Sequence, residues 1–486
     1  MADAAVEDIA LVAAPPRPRG GELTPQSLIA AVIVAGIMGA SYPYMVLKLG
    51  FGPNVSIVSA FFGFIILSLI AGKKYDRWQN NIVQTAGTSA AQTAFMCGVL
   101  AAFDMLRADK IVPFQLAPTP IQVFIWLTCA SLLGVLLAVP MRRHFIVDEQ
   151  LPFPDGTSAA ETLIVLDPPR GVGKDDAEWL GARRAAIVLG VGLLLSGALM
   201  LVRSDVPLLG WIPDTLAPIG LMLGAGGFSF AIAKMGVGLS VSLLSIGSGF
   251  LISQRVNTWM LVGCVISWVI APLILMPAGL IPNHPTRTQV LYWVMWPGIG
   301  MMLSGGLTVL VLRWRLLVQA MQALRSAGTH SDEFPLPWVI GGVVVLSIAF
   351  CVIQQAFFGL PLWMSALGVL ASVPLMLVGL RALGETNWGP IGALSNLMQG
   401  VFAVVAPGNI NANILGNAAT GSIAVTSEGL IQDYKAGHLI GSTPRSMTIA
   451  QLIAAPIGAG ALALTYPALV KTYGLIGDHA QLAAPG

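Results

Sequence analysis

The sequence predicts an all-α polytopic membrane protein of about 14 transmembrane or re-entrant helical elements, assembled from duplicated helix units. Three observations carry that prediction. Hydrophobic residues make up 56% of the 486 positions and charged residues only 10%, against about 25% charged in soluble domains. Apolar runs of roughly 20 residues, the length of a membrane-crossing helix, recur along the chain. Internal repeats join distant segments.

The first observation excludes several classes. So few charges could not cover a soluble surface of this size, and a net charge of +2 offers no basic footprint for nucleic acid. The mean hydropathy of +0.79 excludes a disordered chain. The 54 glycines and 32 prolines are tolerated inside packed membrane helices. Cys97, Cys129, Cys264 and Cys351 lie in apolar stretches with no C-x-x-C spacing. They read as buried thiols, with no metal site and no disulfide framework. The polar, Pro-rich residues 1–24 read as a tail, 25–470 as one membrane domain and 471–486 as a second tail. The first apolar run is too long for a cleavable signal.

The expected elements, in order, are 25–47, 53–72, 80–102, 118–140, 183–202, 207–233, 237–253, 256–281, 289–312, 336–356, 361–380, 388–407, 409–430 and 446–467. Basic loops around Lys73, Lys74 and Arg77, and around Arg142, Arg143, Arg170, Lys174, Arg183 and Arg184, orient the N-terminus to the cytoplasm. Arg313, Arg315 and Arg325 should share that side. Five elements intervene, so one of them should enter and leave on the same face.

Residues 48–64 align without a gap on 234–250, with 8 of 17 positions identical. A fainter copy keeps Gly52, Pro53 and Gly63 as Gly389, Pro390 and Gly400. Residues 81–88, NIVQTAGT, resemble 413–420, NILGNAAT. Duplicated helix units are the usual construction of secondary transporters.

Polar side chains inside membrane helices must face protein or a water-filled path. Asn81, Thr85, Thr88 and Gln92 share one helical face, with Gln84 beside them; Asn413, Asn417 and Thr420 repeat the pattern. The two stripes suit the walls of one substrate cavity, or hydrogen bonds between tightly packed helices.

A second feature is Leu151-Pro-Phe-Pro-Asp-Gly-Thr-Ser-Ala-Ala-Glu161. Its prolines and Gly156 break the backbone, and a helix is expected from Thr157 or Ser158. Pro152–Glu161 is expected to dip into the membrane, turn at Asp155-Gly156 and leave as a short helix. Pro154, Asp155, Gly156, Thr157 and Ser158 would then meet substrate at a helix start. A short amphipathic segment in a cytoplasmic loop is the alternative. Glu161 is the leading candidate for a proton-coupling carboxylate, although Ser158-x-x-Glu161 also fits a capping box. Glu428, Asp433 and Lys435 are further coupling candidates in Glu428–His438, whose mixed charge also suits a solvated loop. There Gly437 reads as a helix C-cap and Pro444 as a restart.

No G-x-x-x-x-G-K-[ST] and no H-E-x-x-H occurs, so neither a P-loop ATPase nor a zinc protease is encoded here. The remaining enzyme alternative, a membrane-embedded enzyme acting on a lipid-linked or peptide substrate, lacks a visible nucleophile–base pair.

Together, Leu151–Leu163 and Gln432-Asp-Tyr-Lys-Ala-Gly437 with Thr443-Pro444-Arg445 resemble motifs of the oligopeptide transporter family. Its members include the yellow-stripe metal-chelate transporters. The first motif resembles L-P-F-P-E-G-T-A-x-A-E, with Asp155 and Ser158 as departures. The second resembles Q-D-L-K-T-G…T-P-R, departing at Tyr434 and Ala436. The N-P-G and K-I-P-P-R signatures of the eukaryotic peptide branch are absent, which favours the bacterial, yellow-stripe-like group. The resemblance implies proton-coupled import of short peptides or metal chelates across the cell membrane. It implies no cofactor beyond the proton gradient and about 16 membrane segments. The implied partners are the solute, protons and the lipid bilayer, without nucleic acid; a homo-oligomer stays open. Any metal would arrive inside its chelate.

Overall fold

The computed structural model describes residues 21–50, 54–72, 75–109, 114–166, 254–283, 285–312, 333–387 and 391–475. It also describes residues 52, 389 and 482 and short pieces between 184 and 246. The chain divides into two compact units, residues 1–185 with 306–486, and residues 186–305.

In the larger unit α1 is Pro25–Leu49. Pro25 supplies a pre-set first-turn φ, and Thr24 and Ser27 form a reciprocal cap. Gly50, at φ 79°, ends the helix in a left-handed conformation that suits glycine. Helix α2 is Ser56–Ala71 and α3 is Arg77–Ala94, opened by Asp76 accepting from the Gln79 N–H. Helix α4, Cys97–Asp109, continues α3 after an interruption at Phe95 and Met96, so the expected element at 80–102 is two helices. Helix α5, Pro120–Ala138, starts with a Thr119–Gln122 capping box. A π-helical turn, Arg143–Asp148, leads to α6, Pro154–Leu166.

The smaller unit contains α7 (Gln254–Val265), a π-helical turn (Ile266–Ile270) and α8 (Ala271–Leu275). Met276, Ile281 and Val290 form its local core. Helices were expected over 207–233 and 237–253. The described residues there instead form two short antiparallel pairs, Met222–Ala225 with Phe228–Ala231 and Thr215–Leu216 with Leu239–Ser240. The sequence joining the first pair is Gly226-Gly227, a combination that favours hairpins over helices. Most of the repeat copy at 234–250, and 8 of the 20 residues at 183–202, lie outside the described residues.

Helix α9 is Arg287–Leu312. The chain then adds α10 (Leu336–Phe358), α11 (Leu362–Thr386), α12 (Ile391–Val405), α13 (Ile410–Ile440) and α14 (Pro444–Tyr473). Among the described residues seven helical stretches are long and apolar enough to cross a membrane. With helices throughout the larger unit, this is an all-α polytopic membrane protein.

Helix α13 is the axis of the larger unit, packing against α3, α5, α6, α11, α12 and α14. From Thr420 to Gly437 every residue of it is buried. The expected end near residue 430 is therefore corrected. The helix runs on to Ile440, and Gly441 at φ 81° is the cap in place of Gly437. Gly437 lies inside the helix, where Met447 of α14 occupies the space a side chain would need. The restart at Pro444 is where expected.

The fainter repeat has a structural counterpart. Helices α1 and α11 are both 25 residues long, and their starts, ends and left-handed caps (Gly50 and Asn387) all lie 337 positions apart. Each is followed by a glycine, Gly52 or Gly389, whose missing side chain leaves room for a neighbour.

Candidate functional site

Asp433 is the centre of the site. It projects from α13 with 1% exposure and is held by neutral donors from neighbouring helices. Gln84 Nε2 on α3 donates to Oδ1 at 2.6 Å, and Gln451 Nε2 on α14 donates to Oδ2 at 2.7 Å. Thr88 Oγ1 accepts from Gln84 Nε2 at 3.1 Å and lies 3.3 Å from Ser56 Oγ at the start of α2. Four helices therefore converge on one carboxyl group. The i, i+4 spacing of Gln84 and Thr88 lets both reach it from one face.

A second layer joins the two family-like motifs. Asn387, which caps α11 at φ 60°, accepts from the Asp155 N–H at 3.0 Å and donates to Asp155 Oδ1 at 2.7 Å. Asn54 hydrogen-bonds both Asp155 and Gln432. Gly156 lies against α13, where a side chain would meet the Gln432 carbonyl oxygen at 2.5 Å and Lys435 Cβ at 2.9 Å. The segment at 151–163 thus rests directly on the turn that carries Asp433.

Other expected residues fall into place around this centre. Asn81 is buried and donates to Ser442 at 2.9 Å; Thr85 is buried with no partner for its hydroxyl. Gln92 is half-buried against Gly429. Glu428 is buried, one oxygen has no hydrogen-bond partner, and its carboxylate fills the space beside Gly389. Lys435 is buried too, so the reading of this segment as a solvated loop is overturned.

Some expectations need correction. The two polar stripes do not face each other. The Asn81–Thr88 stripe meets the C-terminal half of α13, whereas Asn413 donates to the Gln399 carbonyl of α12 at 2.9 Å. Asn417 is half-buried and Thr420 fully buried. Thr420 is 13 positions before Asp433, roughly 20 Å along the helix.

Helix α6 begins at Pro154, before Thr157, because proline suits the first helical position. The sharp bend is at Gln150 (φ 50°) and Phe153 (φ 41°), ahead of Asp155-Gly156. Ser158 is consequently inside the helix and half-buried, while Thr157 spends its hydroxyl on the Pro152 carbonyl at 3.0 Å. Glu161 is exposed on α6, two turns from the helix start. It is not the buried carboxylate its position in the motif suggests.

Sequence reasoning missed Asn54, Ser56, Asn387, Ser442, Gln451 and Glu22. Ser56 did carry a signal, as an identical position in the repeat. Glu22 accepts from the Thr443 N–H at 2.8 Å and its hydroxyl at 3.1 Å, so it caps α14 from the far end of the sequence. Burial raises its pKa, against the lowering effect of those bonds.

The model of the oligopeptide transporter proteins matches residues 22–486. The chain belongs to the oligopeptide transporter family. Within it, the chain is 24% identical to a candidate oligopeptide transporter of Saccharomyces cerevisiae, over 69% of this chain and 60% of that protein. A candidate oligopeptide transporter of Haemophilus influenzae is also 24% identical, over 89% and 71%. The iron-phytosiderophore transporter yellow stripe 1 of Zea mays is 22% identical, over 91% and 72%. The chain thus spans less than two thirds of the yeast relative's length. Its relatives thus carry both kinds of name, candidate oligopeptide transporter and metal-chelate transporter.

Proposed function

We propose that this protein is a proton-coupled secondary transporter that imports short peptides or amino-acid-derived metal chelates across the cell membrane, with its N-terminus in the cytoplasm. The observation that carries the reading is the pair of buried carboxyl groups on α13. Asp433 is surrounded by amides and hydroxyls, and Glu428 has an oxygen with no partner. Carboxyl groups inside a membrane domain that are not locked to a permanent cation mark proton relays. Glu428 and Asp433 therefore stand ahead of Glu161 as coupling groups, with Lys435 beside them on the same helix. Asn81, Gln84, Thr85, Thr88 and Gln92, with Asp155 across the second layer, supply neutral and acidic partners for the amine and amide groups of either solute class.

Liposomes holding the purified protein test this. An inward proton gradient should drive accumulation of a di- to hexapeptide panel or of an iron–phytosiderophore chelate. A protonophore should abolish it. Equal uptake with and without the gradient would refute coupling, and no uptake of either class would refute the substrate reading.

A further inference from the structure

A cavity of about 360 Å³ lies between α4, the chain leading into α5 and the last turns of α14. This is the far end of α14 from Thr443, where Glu22 caps it. Four polar side chains line the cavity. Tyr466 donates its hydroxyl to Asp104 Oδ2 at 2.7 Å, and Arg107 pairs with Oδ1 of the same carboxylate. Lys471 is exposed and forms no ion pair among the described residues. Leu100, Phe103, Val123 and Val470 supply apolar wall. Phe103 is held from behind, stacked on Trp126 with ring centres 6.3 Å apart and 5.5 Å from the Phe114 ring.

We infer that this cavity is a second solute site, which holds a zwitterion of about dipeptide size by its carboxylate, its ammonium group and one apolar side chain. Two cations and one carboxylate leave the lining one positive charge in excess, so a solute carboxylate is attracted to Lys471 and Arg107. Guanidinium carries five N–H donors, enough to keep Asp104 and meet a second carboxylate. Asp104 accepts from two donors, and a carboxylate has about four acceptor positions, so it can also take an ammonium group. The volume stands at the small end of ligand pockets, about 300–1,000 Å³, and leaves no room for paired acyl chains. Of the two solute classes proposed above, this chemistry selects peptides, because a chelate spends its amine and carboxylates on the metal. The site is separate from Asp433: Tyr466 is 15 positions beyond Gln451, roughly 22 Å along α14. The inference rests on the function proposed above for its consequence alone. With the N-terminus in the cytoplasm, this end faces outward and meets the solute first.

The test uses purified full-length protein in detergent, labelled by a dipeptide that carries a photoreactive diazirine on an apolar side chain. Label is expected on residues 97–123 and 463–471, and leucyl-leucine should compete with it there. N-acetyl-leucyl-leucine lacks the ammonium group and leucyl-leucine amide the carboxylate. Each should compete about fivefold less well, the size of a well-formed surface ion pair. Lys471→Gln, at an exposed position, should weaken leucyl-leucine to the level of its amide. Ala117→Trp, on the exposed edge of the same cavity, should reduce the label by obstruction while leaving every charge in place.

No label at these residues in the wild type would overturn the inference, as would label unchanged in both variants. Stronger competition by glycerophosphoethanolamine than by leucyl-leucine would overturn it in favour of a lipid headgroup. Gradient-driven peptide uptake without label here leaves the function proposed above standing while this inference falls. Label that follows Lys471 and both peptide termini, without gradient-driven uptake, does the reverse.

Discussion

Replacing Gly156 with alanine places a methyl group where the structure leaves no room. The new carbon would start 2.5 Å from the Gln432 carbonyl oxygen and 2.9 Å from Lys435 Cβ, whereas ordinary contact begins near 3.4 Å. Helix α6 must therefore retreat from α13 by roughly 0.9 Å, the difference between 3.4 and 2.5 Å. The obstacle is backbone, which cannot swing aside as a side-chain tip can. Overpacking of this kind costs about 1–3 kcal/mol, offset by up to about 1 kcal/mol for alanine's better helix propensity. Gly36→Ala is the matched control: it also lies inside a helix, but nothing stands within 4 Å of the added carbon. Subtracting one variant from the other largely cancels propensity and leaves the steric term. With an unfolding entropy near 2.1 cal/mol/K per residue, 1 kcal/mol is worth about 1 °C in a chain of this length. Gly156→Ala should thus melt about 1–3 °C below Gly36→Ala in a fluorescence-detected size-exclusion assay. It should also transport less at a temperature where both are folded. A Gly156→Ala protein that melts at or above the control would refute the close approach of α6 to α13.

Glu428→Gln and Asp433→Asn should each lose accumulation driven by a pH gradient while keeping solute exchange; Glu161→Gln, exposed on α6, should accumulate like the wild type, and the reverse pattern in liposome uptake would return the coupling role to Glu161. Asn387→Gly keeps the left-handed cap but loses both bonds to Asp155, and should cost about 1–3 kcal/mol; Asn387→Ala adds backbone strain of about 1 kcal/mol and should melt lower still. Glu22 binds its proton more readily folded than unfolded, so its contribution to stability should fall as pH rises from about 4.5, the ordinary glutamate value, through its raised pKa. Glu22→Gln should flatten that dependence, read as the melting midpoint across pH.

Much of the bundle is legible in the sequence because its outer helices are defined by apolar length. The runs at 25–47, 118–140 and 336–356 end within a few residues of the helices they predict. Helix α13 breaks the method. Its C-terminal half carries Glu428, Gln432, Asp433 and Lys435, which by composition alone suit water, and only the surrounding helices make them interior. The polar stripe on α3 is readable from spacing, but its partner is not. The repeat directs attention to Asn413 and Thr420, while the actual contacts are Asp433 and Ser442. Gln451 is a single polar residue in an apolar stretch and gives no pattern. Asn387 becomes conspicuous only once α1 and α11 are seen to share their cap position.

The length of α13 carries one more consequence. Thirty-one helical residues extend about 46 Å at 1.5 Å per residue, well beyond the roughly 30 Å of a hydrocarbon layer. A helix in contact with lipid would have to tilt or deform the bilayer to accommodate such a length. Along its buried stretch α13 is shielded by other helices and has no hydrophobic length to match there. Bilayer thickness therefore acts first on the shell, where α10, mostly exposed, spans 23 residues. Thinner or thicker membranes should strain the shell helices against a core whose own geometry stays constant, so lipid composition becomes a means of shifting the working state without touching the carboxyl groups at its centre.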